Sequence, residues 1–318
     1  MAPTLLYEMS DLSLMQETQI SKFDYFFVAG GSDFRAYEAL KKLADSKIRI
    51  DNVLLFEFTD RNIINELQYN SYNMLGYNFT NISCSIKDPS ECIKSFTAYG
   101  ITFSSNHRIA IDISCFTKPY FFVLLKFLRD HIRLTSITVY YTEPKSYLFA
   151  GSLLKSYHST SGPLSVMEVP GFPGEEHRSS KKILVVLLGF DGELSSFITE
   201  EVSPDKTIVI NGFPGYFPKF KDISLINNEK LVTEADIEYA RANNPFETYN
   251  LLASIKCLDD NSFLNIAPLG TKPMALGACL FAINNPSVRV IYPLPEQYES
   301  VTTDSCWNTW SYNIPLSL

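Results

Sequence analysis

The sequence predicts an α/β protein built from two tandem, mutually related domains with mainly parallel sheets. Three observations predict it: four short patterns recur in the same order, continuous apolar runs alternate with helical spacing, and a Ser-, Pro- and Gly-rich stretch separates the two copies. At 318 residues the chain exceeds what one ordinary core organises and fits two domains. Hydrophobic residues at 46% against 19% charged supply enough apolar material for two cores.

The repeat comes first. A Gly-x-Asp after an apolar run occurs at Gly31-Ser-Asp33 and Gly189-Phe-Asp191. An acid or amide before Pro-x-Glu occurs at Asp88-Pro-Ser-Glu91 and Asn244-Pro-Phe-Glu247. Thr-Lys-Pro stands at 117–119 and 271–273, and Tyr-x-x-Pro-x-x-Tyr runs from Tyr141 and from Tyr292. The offsets between copies, 158, 156, 154 and 151, fall steadily, as small loop deletions would make them.

Each copy opens with an uninterrupted apolar run, the mark of a strand covered on both faces. In the first, Phe23–Ala29 reads as a strand and Gly30-Gly31-Ser32 as a turn. Asp33 to Leu43 reads as a helix with Phe34, Tyr37, Leu40 and Leu43 on one face. Further strands are expected at 53–58, 108–113 and 137–141, with a helix over 119–130. The second copy repeats the scheme, with strands at 183–188, 207–210, 263–266 and 288–292 and a helix over 273–282. Alternating strand and helix implies right-handed crossovers and a Rossmann-like sandwich. The expected boundaries are 1–155, a linker over 156–182 with one short edge strand at 164–169, and 183–318.

Composition narrows the classes of function. A formal charge of -8 argues against non-specific binding to nucleic-acid backbone. The longest apolar runs have core-element length, short of a membrane span. The N-terminus lacks a basic region followed by an apolar stretch, so no signal peptide is expected and the location read from the sequence is cytoplasmic. Cys84, Cys92, Cys115, Cys257, Cys279 and Cys306 are scattered, and Cys115 and Cys279 sit among apolar residues as reduced thiols would. The four histidines, at 107, 131, 158 and 177, have no metal-ligand spacing, so neither a metal nor a cofactor is expected.

In a parallel α/β sheet, ligands gather beyond the carboxyl ends of the strands, where all four repeated patterns are expected. In each Thr-Lys-Pro turn, Thr117 or Thr271 suits a helix cap, proline suits the first turn, and Lys118 or Lys272 points into the mouth as an anion ligand. Gly270 would let backbone approach a phosphate closely. Asp33 and Asp191 read as contacts to a sugar hydroxyl, as holders of a basic partner, or as plain helix caps. Gly31, Ser32, Arg35 and Gly189 complete the candidate mouths. Tyr141 and Tyr292 read either as base-stacking rings or as packing. No Ser/His/Asp or Cys/His arrangement, Walker loop or full Gly-x-Gly-x-x-Gly is present.

The segment Leu264-Asn-Ile-Ala-Pro-Leu-Gly-Thr-Lys-Pro-Met-Ala-Leu-Gly277 resembles the strand–turn–helix of CRISPR-associated Rossmann-fold (CARF) sensor domains of prokaryotic defence. The resemblance covers about fourteen residues of motif. It implies a dimer-like pair of domains holding a cyclic oligonucleotide across a two-fold, with Thr271 and Lys272 matching the family turn and Thr117 and Lys118 a degenerate partner. The sequence departs from the family at Ala267-Pro-Leu269, at Cys115-Phe116 where the glycine would stand, and in showing no effector domain after the second copy.

Three functions follow as expectations. The first is a nucleotide-binding sensory or regulatory protein with its phosphorylated ligand at the mouth between the two halves, acting with a protein partner that carries the effector. The second is an adaptor subunit without a small-molecule ligand, for which the aromatic tail Cys306-Trp-Asn-Thr-Trp310-Ser-Tyr312 would be the interface. The third is a nucleotide or phosphate-ester hydrolase, for which no base–nucleophile set is visible.

Overall fold

The computed structural model describes residues 9–11, 21–31, 33, 35–59, 72–145, 147–148, 160–176, 181–258, 261–298, 302–303 and 305–316. Ser32 and Phe34, with His158 and His177, lie outside the described residues. The chain divides into two compact α/β units. One takes Tyr7–Ala150 together with Ser300–Leu318, the other Gly151–Glu299.

The first unit contains β1 (Met9–Asp11), β2 (Lys22–Ala29), α1 (Arg35–Asp45), β3 (Arg49–Phe58) and β4 (Phe79–Cys84). It continues with α2 (Glu91–Ala98), β5 (Ile109–Asp112), α3 (Lys118–Asp130), β6 (Ser136–Pro144) and β7 (Tyr147–Leu148). The second holds β8 (Thr160–Pro173), β9 (Lys182–Leu187), α4 (Gly192–Val202), β10 (Lys206–Gly212), α5 (Pro218–Asn227), α6 (Glu229–Glu234) and β11 (Asp236–Ala240). It ends with α7 (Pro245–Leu258), β12 (Phe263–Pro268), α8 (Lys272–Asn284) and β13 (Arg289–Tyr298). The chain then adds β14 (Thr302–Thr303) and β15 (Cys306–Pro315) to the first unit.

The first sheet runs β1-β15-β6-β5-β2-β3-β4 and the second β11-β10-β9-β12-β13-β8; β7 and β14 pair separately. Taking only the five parallel strands of each, both orders are 3-2-1-4-5 in strand sequence, with one antiparallel strand beside the fifth. The duplication read from four short patterns thus extends to the topology. It reaches single hydrogen bonds: Glu91 accepts the Ser85 N–H at 2.6 Å, and its counterpart Glu247 accepts the Arg241 N–H at 2.9 Å, each six residues back.

Two boundaries differ from the sequence expectation. The linker contains a strand of 14 residues, β8, hydrogen-bonded to β13. The second domain stops before the C-terminus, because β15 pairs antiparallel with β6 of the first sheet and is itself flanked by β1. Past β7, the strand β8 therefore joins the second sheet beside β13, and past β14, the strand β15 joins the first beside β6. Sequence patterns report local elements, whereas pairing partners more than 100 residues apart leave no local mark. The tail proposed as a partner interface is this β15: Thr309, Ser311, Tyr312 and Ile314 are buried in the first unit.

Apolar runs follow from cover on both faces. Phe26 and Val28 of β2 pack with Ala39, Leu40 and Leu43 of α1. Phe27, pointing the other way, meets Phe56 at 6.0 Å and Phe96 of α2 at 6.0 Å. In the second unit α8 is buried nearly all round, from Pro273 to Ile283. Cys115 and Cys279 are buried free thiols. No described helix is long and apolar enough to cross a membrane.

At the amino end of the first sheet, Asp24 accepts the Arg108 N–H at 2.7 Å and pairs with Lys22 at 3.0 Å. The Arg108 N–H foremost, then the lysine, hold its carboxyl below the usual carboxylate range. A carboxyl depressed in the fold contributes stability that is present above its unfolded pKa and lost as pH falls through the folded one. Asp24→Asn is therefore expected to lower the melting temperature at neutral pH, and the difference should close on acidification below the carboxylate range. Thermal unfolding of both chains across that range checks it.

Candidate functional site

The parallel strands aim their carboxyl ends at one edge of each sheet, and the candidate residues collect there. In the first unit, Asp33 is committed to Arg35. Its Oδ1 accepts the Arg35 backbone N–H at 3.0 Å, and its Oδ2 accepts Nε at 2.9 Å and Nη2 at 2.7 Å. Both side chains are nearly buried, at 12% and 9% exposure. Of the roles open to Asp33, two are seen: it holds a basic partner and accepts an N–H at the start of α1. Beside it, space is open around Gly31: an added Cβ would meet nothing within 4 Å.

Across the ends of β5, β6 and β15 runs a buried polar chain that the sequence reading did not single out. Asp112 Oδ1 accepts the Ser114 N–H at 2.8 Å, and Ser114 Oγ accepts the Thr142 N–H at 2.8 Å. The Thr142 and Thr309 hydroxyls lie 3.0 Å apart, and Lys42 of α1 donates to Thr309 at 3.0 Å. On the next residue pair, the Trp310 indole donates to Glu143 at 2.6 Å. Counting from the matched turns, Asp112, Ser114, Thr142 and Glu143 correspond to Ile266, Pro268, Pro293 and Leu294. The network therefore belongs to the first copy alone. Burial pushes the nearby Cys306 thiol up to about 11, which keeps it a neutral thiol and a weak nucleophile.

The two Thr-Lys-Pro turns open α3 and α8, with proline in the first turn of each. Thr271 caps α8, accepting the Met274 N–H at 3.4 Å, and its hydroxyl also donates to the Ala242 carbonyl. Thr117 occupies the same backbone position without a side-chain cap bond, and its buried hydroxyl has no hydrogen-bond partner. The expectation that it caps its helix is corrected accordingly. Lys118 and Lys272 are half-buried in the first turns, which contain no acidic residue.

The second mouth is otherwise walled by backbone crossings and amides. An added Cβ at Gly189 would stand 2.4 Å from the Leu269 carbonyl oxygen, and one at Gly270 3.2 Å from Leu187 Cβ and from the Leu188 oxygen. The close approach that Gly270 permits is thus to the end of β9. The Gly189 carbonyl accepts Ser224 Oγ and Asn228 Nδ2, each at 3.0 Å. Asp191 precedes α4 without a side-chain cap bond, and its carbonyl accepts the Ser195 N–H at 3.3 Å. Tyr141 and Tyr292 are 2% and 8% exposed, so their rings are packing residues with no face left for a base.

The described histidines stand at the opposite edge. His107 precedes β5, with Nδ1 accepting the Ser104 N–H at 3.2 Å, and His131 follows α3, stacked on Phe127 at 5.4 Å. Among the described residues neither mouth contains a histidine to serve as a general base.

No protein-family model and no curated protein matches this chain. Among solved structures, it superposes on a type III CRISPR defence DNA nuclease activated by cyclic oligoadenylate, over 85% of this chain and 65% of that one, with a TM-score of 0.53 and 9% identity. The adenylation, ketoreductase and pseudo-Asub multidomain structure of a keto acid-selecting NRPS module matches at a TM-score of 0.21 and 10% identity, over 83% of this chain and 28% of that one, which carries no argument. The chain spans just under two thirds of the nuclease's length, and the likeness to that nuclease is one of α/β fold.

Proposed function

We propose that this chain is a nucleotide-binding sensor of a prokaryotic defence system, taking a phosphorylated ligand at the carboxyl-end mouth of its second unit. One observation carries the reading. Each copy begins a 13-residue helix, α3 or α8, with a lysine and no acid in its first turn. A cation there opposes the helix dipole and costs the fold about 0.3–1 kcal/mol. An anion bound at the turn reverses that sign, since the helix N-terminus and the ammonium then both favour it. Thr271, held between Met274 and Ala242, fixes the second turn for that purpose.

The nuclease sharing the fold is itself activated by cyclic oligoadenylate, which makes that compound the first ligand to try. The adaptor reading loses part of its sequence support, because Thr309, Ser311 and Tyr312 of the aromatic tail are buried in β15 while Trp307 stays half-exposed.

Cyclic oligoadenylate at a hundredfold excess over its dissociation constant is expected to stabilise the protein by about 2.7 kcal/mol, read as a rise in melting temperature. Lys272→Glu should weaken binding at least tenfold, because it removes a charge-assisted contact and adds a repulsive one. Its melting temperature without ligand should stay at or slightly above the wild-type value, since an acid in the first turn relieves the cost of the lysine there. Wild-type affinity in Lys272→Glu would end this assignment.

A further inference from the structure

Beyond β10 the chain reads Gly212-Phe-Pro-Gly-Tyr-Phe-Pro-Lys-Phe-Lys221, aromatic rings interleaved with turn residues and two lysines. Phe213 is 52% exposed and Tyr239 of the edge strand β11 is 48% exposed. Their rings meet edge to face, with centroids 6.2 Å apart. The Lys221 ammonium stands 5.5 Å from the Phe213 centroid, while also pairing with the exposed Asp222 at 3.2 Å. A lone exposed apolar residue needs no explanation. Two aromatic rings in contact, with a cation on one of them, are a different feature.

The loop that presents Phe213 is held in place on all sides. The Phe213 N–H donates to the Ala240 carbonyl at 2.8 Å, and the Ala242 N–H to the Pro214 carbonyl at 3.1 Å. The Tyr216 hydroxyl donates to the Ala242 carbonyl at 3.0 Å. Phe220, which is buried, anchors the far end against Phe190 at 5.3 Å and Phe217 at 5.2 Å. Because the Ala242 carbonyl also accepts the Thr271 hydroxyl, the aromatic loop and the Thr-Lys turn share one fixed point. The equivalent bond in the first unit, to the Cys84 carbonyl at 3.0 Å, comes from Thr59, so the aromatic residue at this position belongs to the second copy.

We propose that Phe213, edged by Tyr239 and flanked by Lys221, is a nucleobase-stacking platform beside the Thr271–Lys272 turn, so that the ligand is an oligonucleotide and not a bare phosphate ester. This rests on the function proposed above. A base laid on Phe213 covers its open surface and sets an already polarised ring against a second π-system. Stacking of this kind reads ring area more than hydrogen-bonding edges, so adenine should bind better than uracil.

The test uses the full chain and four proteins: wild type, Phe213→Ala, Phe213→Trp and Lys272→Glu. The probes are cyclic oligoadenylate, cyclic oligouridylate of the same ring size and inorganic pyrophosphate. Phe213→Ala is expected to bind cyclic oligoadenylate roughly 10- to 100-fold more weakly, with pyrophosphate binding and melting temperature unchanged. Phe213→Trp should retain affinity and lose indole emission as the ligand saturates it. Should Phe213→Ala bind cyclic oligoadenylate as wild type does while Lys272→Glu does not, the platform is wrong and the sensor reading stands. An altered oligomeric state in Phe213→Ala with unchanged affinity would give the rings to a contact between copies. Absence of binding to wild type by all three probes would overturn both proposals.

Discussion

Alanine at Gly277 is expected to destabilise the second unit by about 2–3 kcal/mol, the reverse of what the change does in an ordinary helix interior. There, replacing glycine gains about 0.5–1 kcal/mol by restricting the unfolded chain. Within α8, however, a Cβ at 277 would stand 2.1 Å from the Pro245 carbonyl oxygen and 2.9 Å from Thr248 Cβ. Backbone at the start of α7 cannot swing aside as a side-chain tip can. That start is also pinned, since Asn244 Oδ1 accepts the Phe246 N–H at 3.0 Å and Glu247 accepts the Arg241 N–H. The helices must therefore separate, loosening the buried contacts of Phe246, Tyr249 and Leu252 at the overpacking cost of about 1–3 kcal/mol, with the cap strained in addition. Denaturant unfolding of Gly277→Ala against Gly31→Ala, where a Cβ meets open space, gives the comparison. Equal midpoints for the two would show that α7 and α8 re-space freely.

The same contrast explains what could be read from the sequence. The strands at the centre of each sheet were legible because cover on both faces demands unbroken apolar runs, as in Ile183–Leu187. Helix starts were legible because capping is local: Asn244 and Thr271 do what their types suggest. β11 escaped notice because four of its five residues are exposed at the sheet edge, which removes any apolar pattern. The chain from Asp112 through Ser114 and Thr142 to Thr309 escaped because its members meet only once β5, β6 and β15 are side by side. Tyr141 and Tyr292 take the packing reading of the two the sequence left open, since a residue repeated between copies can be repeated for packing. Phe213 did have a signal, in rings interleaved with lysines just past a strand, but it occurs in one copy and a search for repeats passes over it.

Deleting 305–318 is expected to unfold the first unit while the second keeps its protection, although counting along the sequence would assign that segment to the second. β15 lies between β1 and β6, and its register pairs Tyr312 with Val139 and Ile314 with Ile137. Tyr312, Ile314 and Leu316 are buried, and losing three such side chains removes about 5–9 kcal/mol, as much as a typical domain's whole stability. The loss reaches polar groups too. Glu143 would lose the Trp310 indole and Thr142 its hydroxyl neighbour Thr309, leaving buried groups to face the cost of unmade hydrogen bonds, and Lys42 would keep Glu38 but lose Thr309. The second sheet forfeits nothing equivalent, because its edge beside β13 is closed by β8, which lies far upstream of the cut. Hydrogen exchange read by mass spectrometry separates the two units: amides of β2, β5 and β6 should exchange rapidly in the truncated chain, and those of β9, β10 and β12 slowly. Persistent protection in β5 and β6 would make β15 an accessory strand. Simultaneous loss in both sheets would mean that the two units unfold as one cooperative body, and the strand exchange that links them would then be the first place to look for the coupling.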